Sequence, residues 1–301
     1  MANDVLIDAR VSAATEQRET SRTGWVIRRS LLHAIAIGVG LLLMIPFFWA
    51  LISSLKPVDE IRVLPPTFLP SRIMWSNYPD VLTSTLFSTW YLNSTIISVL
   101  ATIGTVITAA MAGFAFARFR FAGKNLLFGI ALSTMMLPQE ITLIPSYLLY
   151  FKIGWLNTYL PLIVPFWLGG GAFFIFLFRQ FFMTIPPELD EAAKIDGASY
   201  FQILGRIIAP LSLPALATAA IISFIGHWNS FLFPLIILND TDKFTLAIGL
   251  RYFSISPTQD SRPLDHLLLA GSVMMTIPIV VIFFFGQRYF VRGVVMSGIK
   301  G

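Results

Sequence analysis

The chain has 301 residues, of which 56% are hydrophobic and only 12% are charged, against about 25% charged residues in an ordinary soluble domain. A soluble fold of this size could not bury so much apolar surface, so the composition indicates a membrane protein and excludes disordered and collagen-like chains. The absence of cysteine excludes disulfides, thiolate nucleophiles and cysteine-based metal sites, and the net charge of +5 leaves a nucleic-acid partner to be judged from where the charges lie.

Long segments without charged residues alternate with short charged ones along the chain. Each of the long segments exceeds the roughly 20 apolar residues that a helix needs to cross a bilayer. Five segments contain no Asp, Glu, Lys or Arg, and a sixth, 125–151, contains only Glu140: 30–55, 81–117, 153–178, 207–239 and 266–287. The sequence therefore predicts an all-α membrane protein with six transmembrane helices.

The first helix is predicted over 31–53, after a cytoplasmic N-terminal segment, 1–30, whose polar head, Met1–Gly24, we expect to be poorly ordered. Its apolar core is too long for a cleaved signal peptide, and Ser53-Ser54-Leu55-Lys56 is not a small-x-small cleavage site. The external segment that follows, 54–88, is rich in proline, which favours an extended, packed loop over a helix.

Five more helices complete a transmembrane domain over residues 31–290, and a short cytoplasmic tail, 291–301, follows it. The helix that comes second is rich in small residues, as close helix packing in lipid requires. Prolines lie inside or at the ends of the third and fourth helices and predict kinks there. The five predicted helices cover 89–117, 125–150, 160–182, 210–237 and 266–288.

Lysine and arginine are unevenly divided between the two sides of this topology. With six crossings both ends of the chain lie on one side, which then carries 14 of the 21 lysine and arginine residues. Basic residues favour the cytoplasmic side, so both termini are predicted to be cytoplasmic. Since this bias accounts for the positive net charge, the sequence predicts membrane lipid around the chain and no nucleic-acid partner.

One large cytoplasmic insert, 183–209, separates the fourth and fifth helices. Pro186-Pro187 can begin a helix, the acidic residues that follow suit its first turn, and Gly197 supplies a stop. Four residues of this helix share a shallow face suited to docking another protein: Leu189, Ala192, Ala193 and Asp196. A second short helix, about 199–208, carries an apolar stripe predicted to rest on the membrane helices: Tyr200, Ile203, Leu204, Ile207 and Ile208. Helix periodicity alone leaves an ordinary amphipathic interfacial loop equally open.

The order Glu191-Ala-Ala-Lys-Ile-Asp-Gly197, nine further residues and then Ile207-Ile-Ala-Pro210 resembles the EAA loop of ATP-binding cassette (ABC) importer permeases. The family pattern is EAA, three residues, Gly, nine residues and I-x-L-P, and the chain departs from it only at Ala209, where the family has Leu. Other stretches resemble the carbohydrate branch, and within it the second permease subunit of maltose-type and glycerol-phosphate-type systems: Asn93-Ser94, Arg118–Lys124, Phe178–Phe182, His227–Asn229, Phe290–Gly293 and Gly298–Gly301.

This resemblance implies a six-helix permease paired with a second homologous permease, two ATPase subunits underneath and an external (periplasmic) solute-binding protein. It also implies that one ATPase subunit receives the insert, at coupling residues carried over from the family pattern: Glu191, Ala192, Ala193, Asp196, Gly197, Ile207 and Pro210. The C-terminal Gly298, Lys300 and Gly301 are expected to reach towards the ATPase dimer. ATP and magnesium are expected on the ATPase subunits, and no cofactor is expected in this chain. The chain itself is expected in the cell membrane (the inner membrane of a Gram-negative cell).

The sequence offers no motif for an enzyme. No G-x-x-x-x-G-K-[ST] motif occurs, so no P-loop for ATP is predicted. No serine has the flanking glycines of a nucleophile elbow. His33, His227 and His266 are scattered without the spacing of metal ligands.

Candidate residues for a solute pathway are few: Asn93, Gln139, Glu140, Trp228 and Asn229. Glu140 is the only ionisable side chain well inside a predicted span, where carboxylates are often functional, but it also fits a helix cap after Pro138. Trp228 and Asn229, expected in the middle of the fifth helix, suit contact with a sugar. Helix packing with an interhelical hydrogen bond explains these two, Asn93 and Gln139 equally well.

The sequence therefore favours a permease for an oligosaccharide or sugar-like solute, with neutral oligosaccharides, acidic oligosaccharides and glycerol phosphate all open. A secondary carrier or channel without ATPase subunits is the alternative class, but no partnered carboxylate or histidine relay is evident in the membrane. A non-transporting membrane scaffold is the third class. Co-purification of an ATPase subunit that depends on residues 188–208 would distinguish an importer permease from a carrier or channel. A scaffold would survive the loss of Glu140, Trp228 and Asn229 without an uptake defect.

Overall fold

The computed structural model describes residues 2–83, 85–254 and 264–297, with side chains for residues 25, 28–83, 85–138, 140–253 and 264–287. Over these ranges the chain is helical and contains no strand. Short 3-10 turns lie at Val58–Glu60, Thr134–Met136 and Thr241–Lys243, and a π-helical turn, Leu204–Ile208, joins α9 to α10. The helices are α1 (Ala2–Ser54), α2 (Asn77–Thr83), α3 (Phe87–Arg118), α4 (Lys124–Ser133), α5 (Gln139–Lys152), α6 (Leu160–Gly169), α7 (Ala172–Met183), α8 (Glu188–Ile195), α9 (Tyr200–Ile203), α10 (Ala209–Leu211), α11 (Leu213–Trp228), α12 (Leu232–Ile237), α13 (Leu246–Ser254) and α14 (Asp265–Ser297).

Four stretches of the described chain are long and apolar enough to cross a membrane: Arg28–Ser54, Phe87–Arg118, Leu160–Met183 and Asp265–Gln287. Two further pairs of helices reach that length only together, and each pair is bent. The bend between Lys124–Met136 and Glu140–Lys152 is 103°, and the bend between Tyr200–Leu211 and Leu213–Trp228 is 85°. The prediction of an all-α membrane fold is confirmed, whereas six spans require each bent pair to cross as one and stay a prediction.

The third and fifth predicted helices are interrupted rather than continuous. The third breaks at Leu137, which has an extended ψ of 120° as expected for a residue that precedes a proline, and α5 starts only after Pro138. The fifth ends at Trp228 and resumes at Leu232. Pro234 lacks the N–H that would bond the preceding turn, which explains why the helix does not continue through this region.

α1 is one continuous helix from Ala2 to Ser54. The stretch within it that could cross a membrane, Arg28–Ser54, agrees with the predicted span 31–53, and the helix extends further towards the N-terminus than predicted because no proline or glycine interrupts the first 23 residues. The poorly ordered head stays a prediction. Side chains from Arg28 to Trp49 are exposed, and burial begins only at the C-terminal end, at Ser53 and Ser54. α14 is the helix that packs against α1.

α3 lies at the centre of the fold, where α6, α7 and α11 pack against it. A Cβ atom at Gly104 would lie 2.5 Å from Cδ1 of Trp167 in α6, and one at Gly113 would lie 2.7 Å from Cβ of Phe178 in α7. Both distances are far below a van der Waals contact, so these helices approach closely because the side chain is missing. The close packing expected from the small residues of this helix is confirmed.

The segment after α1 folds back onto the end of that helix. The Asn77 side chain donates hydrogen bonds to the carbonyls of Ser54 (2.8 Å) and Lys56 (3.1 Å), and the Met74 N–H donates to the Leu55 carbonyl (2.8 Å). A largely non-helical segment is thus confirmed up to Ser76, but it packs only in part, since most of residues 61–76 are exposed. Two helices in the segments between spans, α2 and α13, were not predicted.

Candidate docking site between α7 and α11

The first half of the insert begins and ends as the sequence predicts. α8 starts directly after Pro187 with three acidic residues in its first turn, where the helix dipole favours negative charge. It ends in a Schellman motif, with Gly197 N–H donating to the Lys194 carbonyl (3.0 Å) and Ala198 N–H to the Ala193 carbonyl (2.9 Å). Gly197 has a φ of +79°, which only glycine adopts without strain.

The second half of the insert rests on the membrane helices. Ser199 and Gln202 form a capping box: Ser199 N–H donates to Gln202 Oε1 (2.8 Å), and Gln202 N–H donates to Ser199 Oγ (3.4 Å). Ile203 and Ile208 are fully buried, with Leu204 and Ile207 partly buried against the same cluster. The Tyr200 ring contacts that of Phe119 at 4.6 Å between centroids. The apolar stripe predicted for this helix is confirmed, while Pro210 is exposed.

An ion pair fastens α8 to the central helix α3. Arg118 Nε lies 2.6 Å from Asp190 Oδ2, with both side chains almost buried, and Arg118 Nη2 donates to the Ile185 carbonyl (2.8 Å). This pair was not predicted, because Arg118 was considered only within the Arg118–Lys124 stretch of family resemblance and the acidic residues after Pro187 only for the first turn of their helix. The signal that could have indicated it was spacing. Asp190 and Ala193 are three residues apart and so lie on one side of the helix, which places the carboxylate on the side that carries an alanine suited to close packing.

The outward face of α8 differs from the predicted one. Ala193 is only 8% exposed and packs within the chain's own cluster, so the prediction was wrong for Ala193, whereas Leu189, Ala192 and Asp196 of the predicted face are exposed as expected. The side opposite Asp190 and Ala193 consists of four exposed residues, here named the docking face: Glu188, Glu191, Ala192 and Ile195. Ile195 is 87% exposed. Ile195 was missed because the predicted face of α8 was centred about one residue's rotation, or about 100°, away from it.

The candidate pathway residues fall into two groups. Asn93 is buried, and its Nδ2 donates to the carbonyls of Asp242 (2.8 Å) and Phe244 (3.0 Å). Trp228 is 1% exposed, and its indole N–H donates to the Met275 carbonyl (3.1 Å). The polar groups of both are therefore occupied by the chain itself, as the packing alternative expected.

The second group is accessible. Asn229 is exposed directly after the last residue of α11, so the expectation that Trp228 and Asn229 lie in mid-helix was wrong, because the helix ends there. Glu140 is exposed in the first turn of α5. The Gln139 side chain and the tail residues Gly298, Lys300 and Gly301 lie outside the residues that the structure describes.

Histidine and carboxylate groups do not gather into a cluster. Within the described ranges, no three His, Cys, Asp or Glu side chains come together as ligands for a metal ion. The exposed polar groups of the docking face and of the α11–α12 break are among the features that a partner or solute could contact.

Comparison with known proteins finds this architecture elsewhere. Residues 104–296 match the family described as binding-protein-dependent transport system inner membrane component. The arabinooligosaccharides transport system permease protein AraQ of Halalkalibacterium halodurans is 35% identical over 266 residues, covering 87% of this chain and 93% of that protein. The sn-glycerol-3-phosphate transport system permease protein UgpE of Yersinia pestis bv. Antiqua is 34% identical over 269 residues, covering 87% and 94%. A chain from the crystal structure of a bacterial ABC transporter involved in the import of the acidic polysaccharide alginate superposes with a TM-score of 0.75 at 26% identity, covering 87% of this chain and 96% of that one.

Proposed function

The chain belongs to the family of binding-protein-dependent transport system inner membrane components, and on that premise we propose that it forms, with a second homologous permease, the membrane pathway of an ATP-driven importer for an oligosaccharide or sugar-like solute. It is an ABC transport permease and not an enzyme, as its relatives are. The names of those relatives mention arabinooligosaccharides, sn-glycerol-3-phosphate and alginate, all of which carry hydroxyl groups. The proposed substrate is therefore hydroxylated, and both neutral and acidic saccharides fit this class.

The proposed topology has six spans with both termini in the cytoplasm of the cell. Four long helices and two bent pairs supply the spans, and the excess of lysine and arginine on one side supplies the orientation. The proposed partners are the second permease, two ATPase subunits that bind ATP and magnesium, and an external solute-binding protein, to which the family description refers. This chain itself holds no nucleotide in the proposal.

The coupling role of the insert is carried by one observation, the buried pair between Arg118 and Asp190. Because this pair and the buried Ala193 hold α8 against α3, a push on the docking face acts on the helix around which α6, α7 and α11 pack. We propose that an ATPase subunit contacts Glu188, Glu191, Ala192 and Ile195. In this arrangement Asp196 and Gly197 end the helix that carries the contact, and Ile207 and Pro210 lie in the segment that joins it to α11.

The proposed solute pathway includes the break between α11 and α12. This break lies in a segment without charged residues, and non-helical backbone within a membrane is tolerated where it faces protein or a water-filled cavity. Asn229 leaves its amide exposed there. We therefore propose Asn229 as a solute contact and Glu140 as a second. Asn93 and Trp228 have a packing role in this proposal, because their polar groups bond to the chain itself.

Co-purification tests the coupling role. In the complete importer, Ile195→Asp should reduce recovery of the ATPase subunit with the permease about ten-fold or more, because it places an uncompensated charge in the centre of a contact. The matched control is Leu69→Asp, another exposed aliphatic residue, outside the insert. The measurement is the ratio of ATPase to permease after affinity purification, together with ATPase activity stimulated by the binding protein.

The control should retain both the ATPase subunit and the stimulated activity. Full recovery of both in Ile195→Asp would show that the docking face does not contact the ATPase. Loss of the ATPase subunit in both variants would point instead to general damage of the permease. The claim of a specific contact at Ile195 would then be rejected.

A further inference from the structure

A group of basic residues surrounds the turn between α3 and α4. Arg120 is exposed, and the Lys124 ammonium group donates to the Phe119 carbonyl (2.9 Å) at the start of α4. A cavity of about 360 Å³ opens here, lined by residues 119–121 and 123–126. Two cationic side chains therefore border one cavity.

α7 adds a third cation to this group. Arg179 Nε donates to the Phe116 carbonyl (3.4 Å), and its guanidinium lies 4.3 Å from the centroid of the Phe128 ring in α4. Phe128 lies one helical turn after Lys124 in α4, so Arg179 is on the same side of that helix as Lys124. We name Arg120, Lys124 and Arg179 the basic cluster.

No carboxylate among the described side chains neutralises the basic cluster. The nearby Asp190 is paired with Arg118 instead, and the other described ion pairs, Arg62 with Asp265 and Lys243 with Asp240, involve other residues. Like charges held together without a counter-charge repel one another, so an anion bound among them lowers the energy of the arrangement.

The helix that starts at the basic cluster is apolar on its exposed side. Leu126, Leu127 and Ile130 of α4 are 69%, 51% and 53% exposed. An occupant of this place therefore meets positive charge at one end and a hydrocarbon surface next to it. This is the chemistry of an anionic phospholipid, with a phosphate at the cations and acyl chains along α4.

We propose that the basic cluster is a binding site for the phosphate headgroup of an anionic phospholipid. The cluster belongs to the side that the proposed function assigns to the cytoplasm, so the lipid lies in the inner leaflet if that orientation holds. The site selects phosphatidylglycerol or a related anionic lipid over zwitterionic lipid, and it tethers the α3–α4 turn to the membrane surface.

Native mass spectrometry of the assembled importer tests this site. The complex is reconstituted in nanodiscs of phosphatidylcholine with a minority of phosphatidylglycerol, and lipid retained on the permease is counted. Arg120→Gln should reduce the retained phosphatidylglycerol relative to phosphatidylcholine about five-fold, the equivalent of about 1 kcal/mol for one basic residue at an anionic surface. Lys124→Gln should act in the same direction. Lys152→Gln, an exposed basic residue at the end of α5, is the matched control.

Three results would overturn the proposal. Equal phosphatidylglycerol retention in wild type and Arg120→Gln excludes the site, and loss of the ATPase subunit in place of lipid would assign the cluster to a protein contact. Binding of millimolar inorganic phosphate to the importer in lipid-free detergent, lost in Arg120→Gln, would assign it to a free anion. Labelling of the cluster from outside the cell would contradict the proposed orientation alone, since lipid selectivity in nanodiscs does not depend on it.

Discussion

Among the described ion pairs, that of Arg118 and Asp190 is the one in which both side chains are nearly buried, at 11% and 7% exposed. Burying two charges costs desolvation energy that their attraction need not exceed. The value of the pair therefore lies in position: it specifies where α8 sits on the end of α3. Removing one partner leaves the other charge buried without compensation.

Asp190→Ala should destabilise the permease by about 3–5 kcal/mol, because Arg118 then keeps its charge in a buried place without a carboxylate. Replacing both residues with apolar ones, Arg118→Met with Asp190→Leu, should recover most of that loss. Thermal unfolding of the purified importer in detergent, followed by tryptophan fluorescence, is the measurement. Lys152→Ala, exposed at the end of α5 and outside the docking face, should change the stability by less than about 0.5 kcal/mol. Equal stability of Asp190→Ala and Lys152→Ala would contradict the anchoring role.

For single residues, the sequence predicts features that depend on neighbouring residues, such as helix ends, and misses contacts between residues far apart in the chain. The start of α8 after Pro187 and its end at Gly197 depend on neighbouring residues, and both predictions are confirmed. The orientation of the helix about its axis depends on Arg118, far away in the chain, so the predicted face was turned towards Ala193. No local pattern contains that information.

At the level of helices, the packing of α3 depends on positions where a side chain is absent. Gly104 faces the Trp167 indole, whose N–H donates to the Leu100 carbonyl (3.0 Å) on α3. A methyl group at Gly104 would force the ring away and strain that hydrogen bond. Gly129 in α4 has no atom within 4 Å of its would-be Cβ and offers a comparison.

Gly104→Ala should therefore lower the stability of the importer by about 1–3 kcal/mol, the usual cost of overpacking. Gly129→Ala should leave stability unchanged or raise it by up to about 1 kcal/mol, because alanine favours the helix. The midpoint of thermal unfolding for the two variants, compared with wild type, measures the difference. A Gly104→Ala variant as stable as Gly129→Ala would mean that Trp167 is not held as described.

Apolar length and proline account for how well the helices could be predicted. The uncharged segments mark α3 and α14 because both are long and lack strong breakers over most of their length. The breaks at Leu137 and after Trp228 depend on which prolines the surroundings accommodate as kinks and which end a helix. α2 and α13 are short helices of seven and nine residues, which are too short to stand out as spans in segments rich in turn residues.

At the level of the whole molecule, the distribution of basic residues sets the proposed orientation. Since the chain contains no cysteine, single cysteines can be introduced without removing others. Lys152→Cys and Glu188→Cys replace exposed residues on opposite sides of the proposed topology. A membrane-impermeant maleimide should label Lys152→Cys in intact cells and Glu188→Cys only after the membrane is opened. The reverse pattern would overturn the orientation.

Family and fold were accessible to sequence reasoning because the EAA spacing is local and the apolar segments are long. The solute was not, because the accessible polar groups in this chain are few: Asn229 and Glu140 are exposed, while Asn93 and Trp228 bond to the chain itself. In the proposed importer, where a second permease shares the pathway, part of the selectivity comes from residues that this sequence does not contain.

The long first helix has a thermodynamic consequence for the isolated chain. Between Arg28 and Trp49, α1 exposes its side chains, and α14 is the helix that packs against it. The free energy that stabilises α1 therefore comes from the membrane around it and hardly from the core around α3. Heat or detergent should detach α1 from the other helices without unfolding them. Fluorescence of Trp25 and of Trp228 would then report separate transitions, and no single midpoint temperature would describe this polypeptide.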